Sequence, residues 1–128
     1  MQRIVPVLPI DQYSDAVDFY VNRLGFTIQM EHRHEPGFPV YMVVQRGEFL
    51  IGLSEHSRGN DGSELYLFVD DIDDWYQQCT KNKIELGHPP KAMPWGNTEM
   101  LVNDPFGNAL RFTQLGTHPG QNTPNAPN

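Results

Sequence analysis

Two stretches of this chain repeat one another. Pro9-Ile-Asp-Gln-Tyr-Ser-Asp15 and Phe68-Val-Asp-Asp-Ile-Asp-Asp74 each end a β-branched, strand-like run and open a stretch with apolar residues at helical spacing. After each helix come three further strand-like segments. The pattern predicts an α+β fold of two βαβββ modules. A module of this size buries too little of its own sheet face to stand alone, so two are expected to pair within one chain or exchange between chains.

In the first module, residues 3–10 read as a strand in which Pro6 and Pro9 remove two ladder donors. Tyr13, Ala16, Val17, Tyr20 and Leu24 lie on one helical stripe that Gly25 ends. Residues 26–30 read as a short strand and 31–37 as a polar loop. Residues 40–44 and 48–53 form a hairpin about Arg46-Gly47. In the second module, residues 64–69 read as a strand. Asp70-Asp71 then cap a helix carrying Ile72, Trp75, Tyr76 and Cys79, and Ile84-Glu-Leu86 reads as a brief strand.

The closing hairpin is the best-defined local signal. Asp104-Pro-Phe-Gly-Asn108 is turn chemistry, with Pro presetting φ, Gly accepting φ > 0 and Asn tolerating the left-handed region. Alternating apolar residues flank it, Met100 and Val102 before, Leu110 and Phe112 after. Just upstream, Pro94 and Gly96 hold Trp95 between them as a positioned ring. The expected division is a first module at 1–57, a linker at 58–63, a second module at 64–116, and a polar, Pro-rich flexible tail at 117–128.

Composition narrows the functions. Sixteen acidic against nine basic residues leave a formal charge of −7, which opposes phosphate binding and argues against a nucleic-acid partner. It favours a cationic ligand through the negative field. No apolar run reaches the ~18 residues a membrane span requires. One cysteine, Cys79, permits no internal disulfide and no Cys-based zinc cage. The chain start goes straight into a strand pattern without an apolar leader, so a cytoplasmic location is expected. His32, His34, His56, His88 and His118 fall in loops or the tail, and neither they nor Ser54 and Cys79 form a nucleophile–base arrangement.

The duplication, together with Val5-Pro-Val-Leu8, Ala16-Val-Asp-Phe-Tyr20, Leu24-Gly-Phe26, Pro94-Trp-Gly96 and Asp104-Pro-Phe-Gly-Asn108, resembles the vicinal oxygen chelate (glyoxalase/bleomycin resistance/dioxygenase) superfamily over about Ile4 to Gln114. The likeness is strongest to its bleomycin-resistance branch. It implies curved sheets and a homodimer, often with the first strand exchanged. It also implies a crevice that sequesters a planar cationic antibiotic unaltered, conferring resistance without catalysis or a cofactor. In metal-dependent members of the superfamily, four inward positions hold His, Gln or Glu, and here those positions match Val5, Gly52, Glu64 and Arg111. Valine, glycine and arginine supply no ligand atom to a cation, so no metal is expected there, and Glu64 is expected to pair with Arg111. Ligand contacts carried over from the resemblance are Trp95, Tyr41, Phe38, Tyr66, Ser54 and Asp61, beside Glu64 and Arg111. The competing readings are a metal-dependent lyase, isomerase or dioxygenase of the same fold, and a carrier or sensor of another aromatic small molecule.

Overall fold

A computed structural model describes residues 2–56 and 62–116. The chain divides into two units. One takes the chain up to Ser63 together with Asp104–Asn108; the other takes Glu64–Asn103 and the chain from Ala109 on.

The first unit holds strand β1 (Val7–Pro9), helix α1 (Tyr13–Ala16), a π-helical continuation (Val17–Arg23), and strands β2 (Thr27–Arg33), β3 (Val40–Arg46) and β4 (Phe49–Ser54). Its sheet runs β1-β4-β3-β2, with β1 parallel to β4 and the other pairs antiparallel. The wide helical turns end where the Leu24 amide bonds the Phe19 carbonyl at 2.9 Å, five residues back. The helical face (Ala16, Phe19, Tyr20, Leu24) and one sheet face (Leu8, Met42, Val44, Ile51, Leu53) are buried, as their 3.6- and 2-residue periods require.

The second unit repeats the plan with β5 (Glu64–Phe68), α2 (Ile72–Lys81), β6 (Leu86–Ala92), β7 (Thr98–Asn103) and β8 (Ala109–Gln114), ordered β5-β8-β7-β6. Asp71 caps α2 by accepting from the Asp74 amide at 3.1 Å. Leu67, Met100, Val102, Leu110 and Phe112 line the buried sheet face, with Ile72, Cys79 and Ile84 also buried, and the Trp75 ring lies 4.8 Å from that of Phe112. This is the vicinal oxygen chelate fold.

Three local expectations are corrected. The first strand covers only Val7–Pro9: Pro6 and Pro9 have no N–H to donate, and Arg3, Ile4 and Val5 lie outside the ladder. Strand β2 runs on to Arg33 through residues expected in a polar loop, since an exposed edge strand has no apolar requirement. Strand β6 spans Leu86–Ala92 through Pro89 and Pro90. As the outermost strand it pairs only with β7, with two register shifts, so the missing donors cost no ladder bond on its open side.

Candidate functional site

Sheet pairing puts directly opposite residues on the same face. In the second unit one row joins Tyr66, Arg111, Leu101 and His88, and the next joins Phe68, Thr113, Glu99 and Lys91. Glu64 lies on this face two residues before Tyr66. It is the face turned away from the apolar core, and it carries large exposed rings: Tyr66 is 53% exposed, Phe68 58% and Trp95 38%. The Tyr66 and Phe68 rings, two residues apart on one strand and so on one face, stand nearly parallel, 24° apart with centroids at 6.3 Å.

Trp95 reaches this face from a closed turn. The Gly96 amide bonds the Met93 carbonyl at 2.9 Å, and the Met93 amide bonds the Asn97 carbonyl at 2.7 Å. Gly96 has φ +102°, a value that only glycine adopts without strain. The indole Nε1–H then donates to Glu99 Oε2 at 3.2 Å. Glu99 itself is only 3% exposed.

Arg111 Nε donates to Glu64 Oε2, forming the predicted pair. This bond, ahead of Coulomb attraction from Glu64 and smaller support from Tyr66 and Glu99, raises the guanidinium above its usual range despite some desolvation. The rings are thus bordered by two carboxylates and a cation already engaged.

In the first unit, Tyr41 and Ser54 are ladder partners, on the same face as Gly52 and Val7. A Cβ at Gly52 would sit 3.0 Å from the Tyr41 hydroxyl and 3.1 Å from its Cε1 and from Val7 Cγ2. The tyrosine ring therefore occupies the space into which a longer residue at 52 would project. Ser54 is buried, its Oγ accepting from the His56 amide at 3.0 Å. Phe38 borders a hollow of about 290 Å³ with Asp11, Arg33, Gly37, Pro39 and Glu55. Its ring lies 5.4 Å from that of His34. Asp61 lies outside the described residues.

The four positions that the resemblance sets against metal ligands of the superfamily do not fit a divalent ion. Val5 and Gly52 carry no donor, Arg111 brings a cation, and the Glu64 carboxylate is bound to that cation. Among the described residues no group of three or more His, Cys, Asp or Glu is placed to hold a metal ion.

Sequence reasoning gave Phe68 no role at the site, and it overlooked Glu99. The signal for Glu99 is in the chain: it is the lone acid of β7, four residues beyond Trp95.

Comparison with known proteins bears on the family and the fold. A bleomycin resistance protein of Geobacillus stearothermophilus is 29% identical over 133 residues, covering 89% of this chain and 97% of the relative. One from Klebsiella pneumoniae is 29% identical over 119 residues, covering 85% and 89%. The crystal structure of a bleomycin-binding protein complexed with bleomycin superposes with a TM-score of 0.71 at 27% identity, over 89% of this chain and 98% of that one. A family model described as "Glyoxalase superfamily protein" matches residues 1–118, and this chain therefore belongs to the glyoxalase superfamily.

Proposed function

We propose that this protein sequesters a bleomycin-type antibiotic without altering it and so confers resistance, in a crevice completed by a second copy of the chain. The observation that carries the reading is the open face of the second unit, where Tyr66, Phe68 and Trp95 stand exposed beside Glu64 and Glu99. Flat rings stack on a planar bithiazole, and carboxylates favour a cationic tail. The resemblance to bleomycin resistance proteins points the same way.

Binding rather than catalysis is favoured by the donor set. The positions that would hold a divalent ion offer one engaged carboxylate, an arginine and two residues without donor atoms, and the Tyr41 ring fills the space beside Gly52. No metal-dependent step can be derived from these residues.

Titration calorimetry of bleomycin, metal-free and copper-loaded, tests the proposal beside a Trp95→Ala variant. The expected result is tight binding at one ligand per chain, lost in the variant. Absence of heat with both forms would sink the resistance reading and move it to another planar aromatic ligand.

A further inference from the structure

Glu99 differs from the other acids near this face. It sits on β7, an interior strand paired on both sides, between Lys91 of β6 and Thr113 of β8. It is almost fully buried and accepts from the Trp95 indole, whereas Glu64 is exposed and tied to Arg111. Lys91, the residue opposite it, is exposed.

Two physical consequences follow. A side chain rooted in a doubly paired strand has little freedom, so a hydrogen bond from the indole to it restricts rotation of the Trp95 ring. A bond from N–H to a carboxylate is also charge-assisted. It shifts electron density into the indole, and the anion adds its own field, so the exposed face of the ring becomes a better partner for positive charge.

We propose that Glu99 is a positioning and charge-selecting residue: it holds Trp95 in one orientation and makes that ring prefer planar cations to neutral rings of the same shape. The proposal rests on the reading that the Trp95 face receives a planar ligand, but it does not require that ligand to be bleomycin.

The test uses the full chain with Trp75→Phe, so that all indole emission comes from Trp95, and compares Glu99, Glu99→Gln and Glu99→Leu. Without ligand, emission maximum and acrylamide quenching report the setting of Trp95. Gln retains a carbonyl acceptor of the same reach and is expected to leave quenching unchanged, while loss of the charge shifts emission; Leu removes the acceptor as well and is expected to raise quenching. The binding probes are N-methylacridinium and acridine at mildly alkaline pH, where acridine is neutral. A cation–π preference at an exposed ring corresponds to a roughly two- to five-fold advantage for the cation, expected with Glu99 and abolished by Glu99→Gln.

The proposal is overturned if Glu99→Gln keeps the preference, if Glu99→Leu leaves emission and quenching unaltered, or if neither acridine binds. Bleomycin titrated into the same proteins separates the two readings. Loss of bleomycin binding alone, with the acridinium preference intact, defeats the antibiotic assignment and leaves the role of Glu99 standing.

Discussion

The Tyr20 hydroxyl donates to Asp104 Oδ2 at 2.6 Å, joining a fully buried helical residue to the first residue of a turn 84 positions later. The same carboxylate accepts from Asn108 Nδ2 at 2.6 Å and from the amides of Phe106 and Asn108 at 2.9 and 2.8 Å. Asn108 in turn donates to the Pro9 carbonyl at 2.9 Å and accepts from the Ser63 amide at 3.0 Å. The Asp-Pro-Phe-Gly-Asn turn is thus a buried polar knot of the first unit as well as the bend between β7 and β8. Every buried side-chain nitrogen and oxygen in it has a partner.

Replacing Tyr20 by Phe removes the hydroxyl donor and leaves the ring in place. A hydrogen bond to a charged group contributes about 1.5–3 kcal/mol, and urea unfolding should show a loss of that size. Burial first, then the charge and hydrogen bond of Asp104, push the Tyr20 phenol well above its usual 10.0. Its stabilisation is therefore complete below the unfolded-state value and declines as pH rises beyond it. In that alkaline range the unfolded chain releases the proton while the native one keeps it, so stability should fall by about 1.4 kcal/mol per pH unit from this group. In Tyr20→Phe this share of the alkaline decline should vanish; an unchanged decline would refute the assignment.

Asp104→Ala should cost more than Tyr20→Phe, about 3–5 kcal/mol, because it strands the Tyr20 hydroxyl, the Asn108 amide group and two backbone N–H groups together. Denaturant midpoints of the two variants give the comparison directly.

Gly52→Ala should destabilise by about 1–3 kcal/mol, since the added methyl presses on the Tyr41 ring and on Val7. A double-mutant cycle with Tyr41→Ala should recover part of that loss. Purely additive costs would mean that Tyr41 does not occupy the space beside Gly52.

Glu64→Gln breaks the pair with Arg111, but the side chains are 46% and 28% exposed. Solvent screening holds the stability change to below about 1 kcal/mol. The variant's melting temperature should barely move, while its affinity for a cationic ligand should fall through the loss of a carboxylate beside the rings.

Tyr66→Ala and Phe68→Ala remove exposed rings and should leave folding nearly intact. Under the proposed function each should weaken bleomycin binding by about two- to ten-fold, the worth of one stacked aromatic contact. Full affinity in both variants, measured by calorimetry, would place the ligand elsewhere.

Much of this architecture was legible in the residues. The β3–β4 and β7–β8 hairpins follow from period-2 alternation and turn chemistry, and α2 from its apolar stripe and Asp71 cap. The local pattern ends strand β6 at Leu86, because prolines read as breakers and become tolerable only where one side of a strand is unpaired. Glu99 was missed for a related reason. Alternation puts it on the face away from the core, where a charge reads as solvated, and its burial is set by packing that the strand pattern does not encode.

The sequence by itself determined most of the elements, the duplicated order, the positions that can turn, and the want of ligand atoms at Val5, Gly52 and Arg111. Those are properties of single residues and short periods. Only the tertiary structure decided that Asp104 meets Tyr20, that Tyr41 covers Gly52, and that Glu99 holds Trp95. Strand order and ladder register bring these partners together, and both arise from the cooperative burial of sheet and helix faces distant in sequence, which no local pattern specifies.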